Sequence, residues 1–543
     1  MISLITFVLF TALVAFLTWF ITRGKVTNTE DGFFLAGRSL PGVVIAGSLL
    51  LTNLSTEQLV GLNGGAFKEG LSVMAWEVIA GMSLVVLALF FLPRYLKSGI
   101  ATIPQFLEER YDSNVRSLTT GIFIIAYMLI LLPFVLFSGA SALTHMLDLQ
   151  VKLGLSEAGT IWAVVAFIAV VGSAYAVFGG LRAVAVSDTF NGLGLLVGGF
   201  LITYYSFAYA AGENASFFTT ISNIKKDNPD AFMSLGRTGE DVHWPTLFTG
   251  VLLLNFFYWC TNQQIIQRTF GAKNLAEGQK GVLLAALFKI LAPIILVLPG
   301  IIAFYIANQD SEFNAMLLNA SGQRDDSKVY GSLVRLVLPA PLTGFFAAVV
   351  VGSILSTFNS VLNSSATLFS LGVYKKSIRP DATMEQVVQS GRWCSGLVAV
   401  FAAVGAPLIF MGIDGIFGYF QKLNGVYFIP LLAVILVGML NRWVNGRTAF
   451  ITILVGLSVM IWGTFFGESF IQDVFGSGYH FMGAVFIALV ILQLVLGKFM
   501  KREVAYLQKD AKKVDLTPWA PAPYVGVGLV TTVVVLYAML AIL

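Results

Sequence analysis

Between Ser48 and Gly64 the chain reads SLLLTNLSTEQLVGLNG, and six of the seven residues Thr52-Asn53-Leu54-Ser55-Thr56-Glu57-Gln58 are polar. The surrounding run, Pro41 to Gly65, is apolar and long enough to cross a bilayer, which takes ~20 residues. A carboxylate at that depth costs roughly 2.5–3.5 kcal/mol or more when unpaired. Two arrangements tolerate it. One is a broken helix whose freed carbonyls and polar side chains face a cavity; the other is a polar face hydrogen-bonded to a neighbouring helix. A second polar pattern lies far along the chain. Ser353, Ser356, Thr357, Ser360 and Ser364 follow i, i+3, i+4, i+7 spacing and line one helical stripe. Hard oxygen donors with little formal charge suit a small monovalent cation such as sodium, while small hydroxyl residues also pack helices together. With a broken helix supplying free carbonyls, the ion site is the preferred reading.

Further polar groups interrupt other apolar runs. Glu77 follows Trp76: a carboxylate accepts from two hydroxyls and an indole covers the apolar face of a sugar ring, or the carboxylate is partnered structurally. Asp188, in AVAVSDTFNG, suits a cation first, with an ion pair or a proton relay as alternatives. Asn255 and the run Tyr258-Trp259-Cys260-Thr261-Asn262-Gln263-Gln264 offer amides that exchange hydrogen bonds with hydroxyls, or that join helices. Lys289, inside LLAALFKILAP, is too central to snorkel and needs an acceptor, either Glu77, a substrate oxygen or both. Cys260 and Cys394 lie far apart, and His145, His243 and His480 share no ligand spacing. Neither a nucleophile–base pair nor a metal cluster is visible, so an enzyme is not expected.

The elements that must position these groups are membrane helices. The 543 residues are 57% hydrophobic and 11% charged, with mean hydropathy +0.83, against roughly 25% charged in soluble proteins. A net charge of +4 is spread over many short loops with no concentrated basic domain, so it gives no sign of nucleic-acid binding. An all-α membrane protein of about fourteen spans is expected, at about 2–21, 41–65, 70–95, 117–147, 159–178, 182–212, 244–267, 278–307, 340–374, 389–412, 414–438, 447–467, 479–498 and 520–542. Counting loops alternately places 23 of the 33 basic residues on one side and 8 on the other. The basic side is inside, and both termini then face outside. The first run has no basic residue before it and Arg23 and Lys25 after it, which reads as a retained helix rather than a cleaved signal. Outer segments 213–243 and 308–339 read as solvated connections rather than lids, and the basic inner segment 498–519 as lying at lipid headgroups.

The motifs DGFFLAGRSLPG, LLTNLSTEQLVG, IATIPQFLEERY, VFGGLRAVAVSD, NFFYWCTNQQIIQRTFGAK, LPGIIAFY, STFNSVLNSSATLFS and YFQKLNGVY together resemble the sodium:solute symporter family, specifically its sodium/glucose and sodium/galactose cotransporters. The resemblance covers roughly residues 30–440. It implies a leucine-transporter-like core of two five-helix inverted repeats over 31–440, an extra helix in 1–30 and three helices in 441–543. It implies sodium held by carbonyls of Leu51, Leu54 and Ser353 and hydroxyls of Ser356 and Thr357. Asp188, Ser356, Asn359 and Ser360 match a second sodium site of some relatives, with Asn359 standing where a hydroxyl residue is expected. Sugar contacts match Gln58, Glu77, Asn255, Lys289 and Gln421, with Tyr258 as inner stacking ring and Leu62, Trp76 and Phe417 as outer gate. Trp76 stands where a tyrosine is familiar and Ala80 where a serine contacts sugar.

The expected protein is thus a sodium-coupled symporter in the cell's inner (plasma) membrane, importing a small polar solute, best matched by a hexose such as galactose or glucose, by alternating access. The alternatives are the same fold carrying a sialic acid, amino acid or monocarboxylate, and, from another class, a passive channel or sensor.

Overall fold

The computed structural model describes residues 2–22, 35–212, 217–319 and 321–542, except the side chains of residues 4, 22, 36, 51, 174–186, 188, 189 and 542. The described chain is all-helical, with isolated bridges and no named strand. Nine of its helices are long and apolar enough to span a membrane, or ten with Leu275–Leu291 and Pro293–Gln309, bent by 45°, counted as one span. The bend falls at Pro293, which lacks the amide proton a continuing helix needs. Widened turns at Leu87–Phe91 and Tyr127–Leu131 precede Pro93 and Pro133 by two residues for the same reason.

Two expected spans are broken in mid-course. Residues 41–65 fold as Gly42–Asn53 and Thr56–Glu69, separated at Leu54 and Ser55. Residues 244–267 fold as a single turn, Trp244–Phe248, then Gly250–Cys260 and Gln263–Phe270, separated at Thr261 and Asn262. The polar run at 52–58 anticipates the first break; the second is not anticipated. Between the segments expected at 159–178 and 182–212 the helical backbone is continuous, from Glu157 to Ala211.

Ala340–Phe369, which carries the hydroxyl stripe, packs against Ile2–Thr22, Leu132–Leu147, the Glu157–Ala211 helix and Met384–Phe410. Gly344 permits the closest approach, since a Cβ there would collide with the Ser3 carbonyl. At the end of the molecule that the charge count assigns outside, 308–339 is no solvated connection. Its helix Asp326–Val337 buries Val329, Tyr330, Leu333 and Val334 completely, because these positions make one apolar stripe. At the opposite end, Arg110 is not a loop charge. It is fully buried and donates to Gly438 O (2.5 Å), Asn441 O (2.6 Å) and Val444 O (3.1 Å), which satisfies carbonyls left open at the end of Ile416–Leu440. Segment 500–519 crosses this face as an extended strap, bonded through Ala511 N to Lys97 O, Leu275 N to Asp515 O and Trp519 N to Gln279 Oε1. Its backbone is therefore held by protein rather than by headgroups alone.

Candidate functional site

Leu54 has ψ 59° and Ser55 is extended, so the helical ladder stops there. Ser55 N donates to Asn53 O at 2.7 Å, diverting the proton that an unbroken helix would give to Leu51 O. Ser55 occupies an N-cap position of a type that usually caps, yet makes no side-chain cap bond. Its hydroxyl, like those of Thr52 and Thr56, is buried and unpartnered.

The hydroxyl stripe meets this break directly. Ser353 Oγ donates to Leu54 O and Thr357 Oγ1 to Thr52 O, each at 3.2 Å, and Ser356, next on the stripe, is equally buried. The carbonyl reached by Thr357 is thus that of Thr52, one residue beyond Leu51. Ser360 Oγ donates to Ser356 O at 2.7 Å and accepts from Arg268. Arg268, counted from sequence as an inner-loop charge, is buried within Gln263–Phe270, where its Nε donates to Ser48 Oγ at 2.9 Å and its Nη1 to Gln264 O. Both amide atoms of Asn359 are buried without partners. The side chain of Asp188 lies outside the described residues, so of the second-site group only Ser356, Asn359 and Ser360 can be located.

Beside the break is a cavity of about 30 Å³, room for a few water molecules. Asn53, Gln58 and Glu77 lie on its wall with Asn255, Tyr258 and Gln421. Glu77 and Lys289, 2% and 0% exposed, form an ion pair, and the ammonium also donates to Asn53 Oδ1. Lys289 itself sits behind the wall, 5.3 Å from the Trp259 ring centre. Asn255 Nδ2 is committed to Val251 O (3.0 Å), and Asn424 Nδ2 donates to Gln421 Oε1 (3.1 Å). Trp76 and Phe417 close one side edge to face, with centroids 5.6 Å apart. Leu62 is fully buried and does not line the cavity.

The second break, at Thr261 and Asn262, is filled from another helix. Tyr127 enters it, its hydroxyl donating to Asn262 Oδ1 (2.6 Å) and accepting from Gln264 N (2.9 Å). Sequence reasoning missed the roles of Thr52, Asn53, Glu57, Tyr127 and Arg268. The first three stood in the polar run; nothing in sequence tied Tyr127 to a break some 135 residues away. Among the described residues no group of three or more His, Cys, Asp or Glu could hold a metal.

Buried neutral oxygens facing a helix break, beside an amide-rich cavity closed by aromatic rings, constitute a site for binding rather than for bond-breaking. The comparisons agree. The model of the sodium:solute symporter family matches residues 33–456. The chain is 41% identical to an uncharacterized symporter, YidK, of Escherichia coli K12, over 99% of this chain and 91% of that one. It is 30% identical to the sodium/glucose cotransporter of Vibrio parahaemolyticus, over 84% of each chain, and 28% identical to mouse sodium/myo-inositol cotransporter 2, over 81% of this chain and 66% of that one. Its fold is similar to that of a solved Na+-coupled sialic acid symporter, with TM-score 0.74 and 18% identity, covering 93% of this chain and 99% of the other. With a family match spanning the break, the cavity and the hydroxyl stripe, the chain belongs to the sodium:solute symporter family.

Proposed function

We propose that this symporter imports a neutral hexose, such as galactose or glucose, together with sodium. The observation that carries this reading is the meeting of the hydroxyl stripe and the first helix break: Leu54 O and Thr52 O lie within 3.2 Å of Ser353 Oγ and Thr357 Oγ1. In this reading one sodium ion lies in that gap, held by the carbonyls of Leu51, Leu54 and Ser353 and the hydroxyls of Ser356 and Thr357. Asn359 and Ser360, with Asp188, are the candidates for a second ion. Gln58, Glu77, Asn255 and Gln421 on the wall are the residues we assign to the polyol, with Lys289 joining them once its ammonium turns from behind the wall; Tyr258 stacks on the inner side, and Leu62, Trp76 and Phe417 gate the outer side.

Sodium in this position links the broken helix to Ala340–Phe369 and orders the segment that carries Asn53 and Gln58. Sodium thereby raises affinity for the sugar, and the sugar raises affinity for sodium by the same factor. The membrane potential adds about 2.3 kcal/mol per charge per 100 mV, enough to drive uphill import. The narrow cavity supports an alternating-access cycle in which the walls part to admit a hexose. We read the chain as fourteen spans, with two five-helix inverted repeats in 31–440, one helix before and three after, and both termini outside the plasma membrane.

Reconstitution into proteoliposomes tests the reading. Labelled galactose or glucose should accumulate under an inward sodium gradient, saturate, and show countertransport, while potassium should not substitute. Sodium-driven uptake of an amino acid, sialic acid or monocarboxylate without any hexose would replace the substrate, and unsaturable flux would indicate a channel.

A further inference from the structure

A second cavity, of about 490 Å³, opens between the starts of Ser113–Ala126 and Gly446–Phe465, at the end of the molecule that the charge count assigns inside. It has the size of a small-molecule cleft, ~300–1,000 Å³, and the symport scheme makes no use of it. Its wall is graded with depth. Asn114 precedes Leu118 by four residues, and Arg447 precedes Ile451 by four, which is about 6 Å of helix rise. On both helices the polar group therefore stands toward the aqueous end, and the apolar ones, Leu118, Phe450 and Ile451, lie deeper. Arg447 is exposed and, among the described residues, no carboxylate forms an ion pair with it. Asp112 shares the wall, but its carboxylate rests against Gly446 and its Oδ1 already accepts from Asn114 N (2.9 Å) and Val115 N (3.0 Å).

The mouth of the groove collects further bases. Asn445 Nδ2 donates to Met500 O (2.6 Å) and Arg502 N to Trp443 O (3.0 Å), which fastens the 441–445 turn to the start of the strap. Met500 is itself on the wall, so Lys501 and Arg502 are held near Arg442 and Arg447. Lys501 Nζ lies 4.0 Å from the centre of the Trp443 ring, and that indole is 43% exposed, as in the aromatic belts at membrane interfaces. Basic pockets between membrane helices at the inner surface suit acidic lipid headgroups.

We propose that this groove is a binding site for an anionic phospholipid of the inner leaflet, its phosphate against Arg447 and Lys501 and an acyl chain along Leu118, Phe450 and Ile451. A bound lipid joins Ser113–Ala126 to Gly446–Phe465 at their inner ends. The inference is independent of which solute the protein carries.

The full chain, delipidated in detergent, is titrated with phosphatidylglycerol or with phosphatidylethanolamine, and bound lipid is counted by native mass spectrometry. Phosphatidylglycerol should occupy one site at least tenfold more tightly than phosphatidylethanolamine. Arg447→Gln removes the charge, and Ser117→Trp fills the groove while keeping every base; each should weaken phosphatidylglycerol binding about five- to tenfold. Arg392→Gln, which removes an exposed base from another helix, should leave it unchanged. These positions are exposed, so unfolding temperatures in lipid-free detergent should match wild type. A photoreactive phosphatidylglycerol should label Leu118 and Phe450–Ile451 in the wild type, a result that needs no variant. Equal binding of the two lipids, labelling confined to other segments, or an equal loss in Arg392→Gln, the mark of diffuse surface charge, overturns the inference. So does full displacement of the lipid by soluble glycerol phosphate, which would assign the site to a free phosphate ester.

Discussion

Replacing Lys289 by Met removes a charge with no exposed surface from contact with Glu77 and Asn53. The aliphatic stem is conserved in volume, so little cavity is created. What remains is a carboxylate 2% exposed with no cation, and an amide oxygen without its donor. Breaking a buried pair by removing one partner costs about 3–5 kcal/mol, and Glu77→Gln should cost less, because the amide still accepts from the ammonium. The double variant Glu77→Gln/Lys289→Met strands no charge, so its loss should fall short of the summed single losses by about 2 kcal/mol, within the range of contacting residues. Equilibrium unfolding in mixed detergent micelles measures all four proteins, and sodium-driven uptake measures them in parallel. Uptake should show affinity for sugar falling more than affinity for sodium. Strict additivity, or a Lys289→Met protein within about 1 kcal/mol of wild type, would refute the claim that the pair is a dry, mutually dependent unit of the cavity.

Three other outcomes follow from single features. Ser356→Ala and Thr357→Ala should each raise the sodium concentration for half-maximal uptake about tenfold, and normal transport by the double variant would remove the ion-site assignment. A Cβ on Gly61 would lie 3.0 Å from Phe417 Cγ and 3.1 Å from its Cβ, so Gly61→Val should cost about 1–3 kcal/mol through overpacking and slow transport. Phe417→Ala should restore stability to the Gly61→Val protein, and no rescue would place the strain elsewhere. Glu157, outside the spans, accepts from His145, 3.5 Å away, and from Lys328, 2.8 Å away, and these partners hold its carboxyl down at about 2. A depressed carboxyl stabilises the fold above its ordinary range near 4.5, and that contribution drains away as pH falls from there toward 2. Glu157→Gln should therefore lower the unfolding temperature slightly at pH 7, the site being partly solvated, and the difference from wild type should vanish near pH 2; a difference that persists there would rule out the ion pair as its source.

Composition and hydropathy alone dictate a membrane protein of many helices, because a chain with 11% charged residues cannot be solvated as a globule. The polar run at 52–58 announced a break, since unsatisfied side chains at that depth have no lipid partner, and the stripe at 353–364 announced its face by its spacing alone. Sequence could also name Glu77 and Lys289 as candidates for each other, because each is intolerable in hydrocarbon unpaired. Only the tertiary structure decided the rest. It aligned Thr357 with Thr52 O, inserted Tyr127 into a second break, drew Arg268 out of an expected loop onto Ser48 and Ser360, and set Glu57 on the cavity wall. These are relations between helices distant in sequence, fixed by which apolar faces pack together, and hydropathy registers how apolar a helix is without recording which neighbour it meets.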